Sequence, residues 1–467
     1  MTGIRGLIPL RRDAVRADIL VAGVSFLILF SGFRWNLWRI ADPVFFELNQ
    51  KDTEALVIGR MAISRQRGFL ASAGLLGFVG TGPAVVTFEP TELWQSERFD
   101  FQTQAYLQGT PVRSFSPYFS HSGLQGAAFS ALDAALSRAP PSFRLGFFHT
   151  LTSALVAAAY ALLVLWLRRE LGGAAALAAL LAVAASPWLT AFARNLYWSL
   201  WLFLLPALGT AAALSGSSGA NGRDRRLAAV GFATLLVRFL CGYEFATAAV
   251  AMAAAPVLYS SMRDRWPARV LLRRLGLLAG ATLLALAASL AALTLQITAA
   301  TGSARNALDH VRLALSRRTS GDPSRFPPIY TAALAAKTSD ILRIYLADPF
   351  DRWEHPGWPA PLRWLFSRRY RDLIVGILAA GGWMAVRYPW LTGQRRSRLL
   401  ALAAATLGIL LGTLGWLVIF KAHSFLHAHV NPLMWSLLFL PLGGALVFGA
   451  VADAASLAYR ALRTVRL

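Results

Sequence analysis

The chain has 467 residues, of which 56% are hydrophobic and only 15% charged, and its mean hydropathy is +0.50. Its 46 Lys+Arg against 23 Asp+Glu give a formal net charge of +23. A soluble domain carries about 25% charged residues and a basic disordered segment is poor in apolar ones, so both are excluded. The basicity is almost entirely arginine, with Lys only at 51, 337 and 421.

A membrane-spanning helix needs roughly 20 mostly apolar residues. In chain order, ten segments meet this: 19–38, 148–167, 173–192, 198–214, 227–241, 245–260, 275–297, 372–389, 399–420 and 432–453. The first apolar run continues through Ser31-Gly32-Phe33-Arg34-Trp35 with no small-residue cleavage pattern, so it reads as an anchored helix. The fifth and sixth are short and form a bent hairpin around Cys241–Glu244. With residues 1–18 and 454–467 placed in the cytoplasm, the cytoplasmic segments hold 21 basic residues, while the short loops opposite hold only Arg194 and Lys421. This is the positive-inside pattern. The expected fold class is therefore an all-α polytopic membrane protein of about ten transmembrane helices.

Two long external segments follow: 39–147, and 298–371 before the last spans at 372–453. The seven spans up to 297 include six between residues 148 and 297. Residues 69–88 are apolar enough to suggest another span. Counting it would invert every later loop, and it holds five Gly and a Pro, so it reads as an external loop that packs on the protein or dips into the interface. With a single Cys, Cys241, no intramolecular disulfide and no C-x-x-C site is possible.

The first external segment opens with Lys51-Asp52-Thr53-Glu54. A helix from Thr53 puts Leu56 and Met61 toward the membrane surface, with Arg60, Arg65 and Arg67 nearby. Asp52 and Glu54 suit a helix N-terminus as cap and first-turn acid. They suit equally a base beside the membrane. Ser114–Gly126 is rich in hydroxyls, aromatics and Gly, which fits either sugar binding or a turn-rich loop. Arg194-Asn195-Leu196-Tyr197-Trp198 lies at the outer end of the third span. Arg238 and Glu244 are costly in a membrane unless paired or facing a cavity, and Arg34 snorkels to the outer border.

In the second external segment Arg343, Tyr345, Asp348, Asp351, Arg352, Trp353, Glu354 and His355 gather near Trp358 and Trp364, as an acceptor site or an interfacial aromatic belt. The border loop Lys421–His429 holds three of the seven His: His423, His427 and His429. His423 and His427 share a helical face at i and i+4. They can bind a metal, contact phosphate or sugar, or simply end a helix. No HExxH, Walker A or GxSxG sequence is present.

The acidic pair just beyond the first span, the helix after it, the large first external loop and the late second one together resemble the GT-C superfamily of integral membrane glycosyltransferases. The likeness is to the group containing protein mannosyltransferases and lipid A aminoarabinose transferases. The motif here is Asp52-x-Glu54 rather than an adjacent pair. The resemblance implies an enzyme of the bacterial inner membrane that takes a sugar from a polyprenyl-phosphate donor and gives it, with inversion, to a lipid, glycan or protein acceptor on the periplasmic side. It implies Asp52 or Glu54 as the catalytic carboxylate, acting as general base or as a metal ligand. The expected contacts to donor phosphate or substrate are Lys51, Arg60, Arg194, Arg343, Lys421, His423, His427 and His429. Some members use a divalent cation and others none. Surface-polysaccharide polymerisation or ligation is the neighbouring alternative, and a lipid or solute transporter or flippase is the alternative of another class. Partners are the lipid-linked donor, the acceptor and membrane lipids. Nucleic acid is not needed to explain the charge, because the cytoplasmic segments carry +15 of it, segment 39–147 carries none and segment 298–370 carries +5.

Overall fold

A computed structural model describes residues 12–88, 96–215, 219–350, 363–364, 367–387 and 393–465. The described chain is helical apart from one two-stranded ribbon. The helices are α1 (Arg12–Trp35), α2 (Pro43–Leu48), α3 (Lys51–Arg67), α4 (Ser96–Gln108), α5 (Leu124–Ala135), α6 (Pro141–Leu171), α7 (Gly173–Ala184), α8 (Pro187–Phe192), α9 (Trp201–Ser215) and α10 (Ala220–Cys241). They continue with α11 (Ala246–Arg263), α12 (Ala268–Thr301), α13 (Ala304–Arg318), α14 (Pro328–Ala335), α15 (Thr338–Ala347), α16 (Tyr370–Arg387), α17 (Gly393–Ile419), α18 (Lys421–Leu426), α19 (Asn431–Leu437) and α20 (Phe439–Val465).

Within these, Val15–Trp35, Pro141–Leu171, Ala268–Thr301, Ser397–Ile419 and Phe439–Arg460 are long and apolar enough to cross a membrane, and α7 and α9 are shorter apolar helices. Several apolar helices of this kind make this a multi-pass membrane protein. Each of the ten expected segments overlaps a described helix, though residues 36–38 and 198–200 are turn or loop. Two of them are broken. Segment 173–192 divides into α7 and α8 where Ser186 caps Leu189 N and Pro187 starts a new helix. Segment 432–453 divides at Leu438 between α19 and α20. Proline favours a first helical turn because its missing N–H has no partner to lose there.

The helices form one core. α11 packs along α17, α10 between α9 and α12, α1 on α6, and α20 on α7. A second layer lies at one end, where α3 is sheathed by α4, α5 and strand β1. Strand β1 (Leu76–Gly80) pairs antiparallel with β2 (Ser114–Tyr118), with Phe78 opposite Ser116. The apolar stretch at 69–88 therefore supplies a buried strand and turns rather than a helix. Its ribbon also corrects the surface placement of α3. Ala55 through Ile63 are all buried, so α3 is a core helix wrapped by the ribbon and α4, not an amphipathic helix lying on a membrane surface.

The fit is tight where α3 meets β1. A Cβ on Gly59 would stand 2.3 Å from the Gly77 carbonyl oxygen and 2.7 Å from Gln102 Oε1. Gln102 itself closes β1, its Oε1 accepting from Val79 N at 2.7 Å and its Nε2 donating to Val79 O at 3.0 Å. Gly59→Ala is expected to lower stability by about 1–3 kcal/mol, the usual cost of overpacking. Gly146→Ala, on α6 with nothing within 4 Å of the added atom, is expected to be neutral or mildly stabilising. Thermal unfolding of the two purified variants in detergent checks the contrast.

Candidate functional site

A cavity of about 310 Å³ opens where α3, the 193–200 loop, the α10–α11 turn, α13 and α18 meet. Asp52 lines it from α3, Glu244 from the turn, and His423, His427 and His429 from α18 and the residues after it. Arg317 and Arg318 face it from the end of α13. Tyr118, Tyr197, Trp198, Tyr330, Tyr345 and Trp416 supply aromatic walls. Sequence positions from 52 to 429 thus converge on one space.

The approach of Asp52 is set by a clasp between residues 46–54 and 194–198. Glu54 Oε1 accepts from Leu196 N at 3.0 Å and lies 3.0 Å from His149 Nε2. Asn195 Nδ2 donates to Gln50 O at 3.1 Å, and Trp198 Nε1 donates to Gln50 Oε1 at 3.1 Å. Arg194 Nη2 donates to Phe46 O at 2.8 Å and to Glu47 Oε2 at 3.0 Å, with its guanidinium 4.0 Å from the Phe46 ring centroid. The Arg194–Trp198 motif is thereby occupied in holding the start of α3.

The two acids of the motif diverge. Burial raises the Asp52 carboxyl above the usual carboxylate range, only partly opposed by the backbone N–H of Thr53 and by His429. Burial also acts on Glu54, but His149 and the Leu196 N–H outweigh it and its net shift is downward. Asp52 therefore has the character of a proton acceptor facing a cavity, and Glu54 that of a buried ion-pair partner.

Two of the imidazoles, His423 and His427, are held neutral. Burial, then the neighbouring His427, keeps His423 well below the ordinary histidine value, and burial with His429 brings His427 down to about 4. The His423 and His427 rings lie 4.4 Å apart, and those of His427 and His429 5.7 Å apart. Among the described residues no group of three or more His, Cys, Asp or Glu is spaced to hold a metal ion.

A hydrogen-bonded chain leads to Glu244. Gly123 N donates to His121 Nδ1 at 3.2 Å, which leaves the proton of the neutral ring on Nε2. Burial holds His121 down at about 4, so the ring is neutral. His121 Nε2 lies 2.9 Å from the Tyr197 hydroxyl, which donates to Glu244 Oε1 at 3.0 Å. Gln125 Nε2 ties the surrounding loops by donating to Tyr197 O at 3.2 Å and Cys241 O at 2.9 Å. The hydroxyl-rich stretch Ser114–Gly126 is thus a strand, a turn and the start of α5, which deliver His121 from the turn and Gln125 from the helix. Arg238 does not pair with the Glu244 carboxylate. Its Nη1 donates to Gly242 O at 2.7 Å and its Nη2 to Glu244 O at 2.6 Å, fastening the turn by its main chain.

The other expected residues lie elsewhere. Lys51 is exposed and outside the cavity lining. Arg60 is buried beneath Phe69, donating to Phe69 O at 2.8 Å. Arg343 reaches Asp340 at 3.2 Å on an exposed helix face. Lys421 Nζ donates to Leu334 O and Ala336 O, both at 3.0 Å, and so binds the carbonyl end of α14. Arg34 Nε donates to Thr150 at 2.9 Å. In the stretch 298–371 Tyr345 donates to Ser424 O at 2.7 Å, while Asp351, Arg352, Trp353, Glu354, His355 and Trp358 lie outside the described residues. Sequence reasoning missed Arg317 and Arg318. An adjacent pair at the C-terminal end of an amphipathic helix is a signal, but it is swamped in a chain this rich in arginine.

No family model matches the chain, and no curated protein matches it.

Glu54 has a lowered folded value, so its stabilisation is present above the unfolded carboxylate value and is lost as pH falls through the folded one. Glu54→Gln is expected to cost about 1–3 kcal/mol at neutral pH, the range for stripping a buried partner of its charge-assisted bond. It is also expected to remove part of the acid-induced drop in unfolding midpoint. A pH series of melting curves for wild type and variant reads both.

Proposed function

We propose that the chain is a membrane glycosyltransferase of the GT-C type, moving a sugar from a polyprenyl-phosphate-linked donor to a glycan, lipid or protein acceptor at this cavity. The carrying observation is the cavity's composition: a carboxyl raised by burial, Asp52, shares it with the paired guanidiniums of Arg317 and Arg318. In this reading the membrane carries ten spans, both termini are cytoplasmic, and the cavity lies on the periplasmic side of a bacterial inner membrane. The arginine distribution supports that orientation.

The chemistry follows from the charges. Asp52 takes the proton of the acceptor hydroxyl as that oxygen bonds to the anomeric carbon. The bond from that carbon to the phosphate oxygen breaks, and the electron pair leaves with the phosphate. Arg317 and Arg318 stabilise the negative charge that develops there, the task for which arginine's fixed donor fork is suited. Glu244, oriented by Tyr197, accepts from sugar hydroxyls. Neutral imidazoles at 423 and 427 offer hydrogen bonds without adding fixed charge, and His429 lines the same wall. One base and one direct displacement invert the anomeric centre. Polymerisation or ligation of a surface polysaccharide would use the same chemistry with a larger acceptor. The interruption of helix at Gly242–Phe245 beside a cavity is the one feature that favours a transporter or flippase.

Mass spectrometry of lipid-linked sugars in a deletion strain of the host is expected to reveal an accumulated polyprenyl-phosphate sugar. Wild-type protein should consume it, and Asp52→Asn should be slower by roughly 10²–10⁴-fold, the usual contribution of a general base. Unchanged turnover in Asp52→Asn would remove the enzyme reading at its centre. The acid limb of the wild-type rate should have its midpoint above the ordinary carboxylate range, because the base acts only when deprotonated and its folded value is raised. A reporter inserted after Thr91 should read as external.

A further inference from the structure

A second cavity, of about 440 Å³, lies between α6, α9 and α11. It shares no lining residue with the first. The first cavity touches the chain just before α9 and α11, at Trp198 and Phe245, whereas the second runs along α9 from 204 to 215 and along the far half of α11, at 255–263. One face of each helix builds it. Ala159 and Leu163 on α6, Ala207 and Ala211 on α9 and Ala255 on α11 make a narrow slot whose small side chains leave the volume open.

Its polarity changes from one end to the other. The lining from Leu204 to Leu214 on α9, and from Ala159 to Trp166 on α6, is apolar throughout. Polar groups gather at the mouth alone, as Arg169, Glu170, Ser215, Tyr259, Ser260 and Arg263. From Leu204 to Ser215 a helix rises about 16 Å. That is half of a hydrocarbon core of about 30 Å, so the slot is one leaflet deep.

The mouth is built around Glu170. Tyr259 donates to its Oε2 at 2.8 Å, Arg263 Nη1 lies 3.0 Å from Oε1, and Arg398 Nε lies 3.4 Å from Oε2. Glu170 is thereby neutralised by more than one cation. Arg169 bonds Asp18 through Nε at 2.8 Å, yet its side chain is 60% exposed at the rim. Arg168, Arg169, Arg263 and Arg398 stand there against Asp18, Glu170 and Asp264. Arg263 is held by Asp264 through two bonds, at 2.7 and 3.0 Å. The ends of three helices add partial negative charge, which leaves a rim of mixed sign on which Arg169 is the most exposed guanidinium.

We propose that this slot is a binding site for one glycerophospholipid of the arginine-rich leaflet, with an acyl chain between α6, α9 and α11 and the phosphate on the exposed Arg169 guanidinium. The match is of depth to a single leaflet, of apolar wall to a hydrocarbon chain, and of an exposed arginine at the rim to a phosphate held at headgroup level. A soluble ligand would leave the apolar wall without a counterpart. The site is independent of the glycosyl-transfer reading and stands or falls separately from Asp52.

The test uses the purified full chain in detergent. Native mass spectrometry is expected to find one phospholipid retained per chain. Added phosphatidylglycerol or phosphatidylethanolamine should raise the unfolding midpoint, while diacylglycerol with the same chains and inorganic phosphate should not. Arg169→Gln should weaken the phospholipid response about tenfold, in keeping with the loss of one charge-assisted hydrogen bond. Ala211→Trp, which fills the slot, should abolish retention. An equal shift from diacylglycerol, a shift from inorganic phosphate alone, or retention undiminished in Ala211→Trp would each overturn the proposal. If Ala211→Trp does not fold, wild-type protein photolabelled with a diazirine-tailed phosphatidylglycerol decides the matter. Labels on 159–170 or 204–215 support the slot, and labels confined to other segments refute it.

Discussion

The Glu54 carboxylate is the interaction on which the candidate site depends. It joins three distant parts of the chain, the start of α3, His149 on α6 and the main chain at Leu196. A helix turns about 100° per residue, so side chains two positions apart point in nearly opposite directions. With Glu54 turned into the clasp, Asp52 must turn away from it and into the cavity. The Asp-x-Glu spacing therefore separates the two acids by task. One is spent on architecture, and the other is left facing open space. An adjacent acidic pair would turn its two carboxyls only about 100° apart.

Much of this was legible in the sequence. The helical, multi-pass character was legible because length and hydropathy are direct physical requirements of membrane-spanning helices, and five helices meet both. The density of His at 423–429 pointed to a metal, phosphate or sugar contact or a helix end, and the cost of an acid at 244 pointed to a cavity or a partner. Lys421, expected as a donor-phosphate contact, binds the carbonyls at the end of α14. Arg317 and Arg318 did not stand out, being two arginines among many. The surface placement of α3 failed because period and composition cannot say that a ribbon 20 residues on will cover the helix.

The cavity also shows how a site can be cationic without being rigidly so. Its fixed positive charge resides in guanidiniums, whereas the His423 and His427 imidazoles are kept neutral by desolvation and by their neighbouring rings. The acids are held apart by environment, Asp52 by burial and Glu244 by the Tyr197 hydroxyl donated from a ring whose own partner, His121, is fixed by a backbone N–H. Each titratable group has a neighbour that sets its proton inventory.

The Gln102 amide has a consequence beyond packing. By engaging both the N–H and the carbonyl of Val79, it does for β1 what a third strand would do. A short strand outside a helical bundle would otherwise offer unpaired main-chain groups to any extended peptide passing by. Here the recruiting edge is answered from within the same chain. The ribbon is thus insulated against strand exchange and aggregation, a useful property for a segment that must fold beside a crowded membrane.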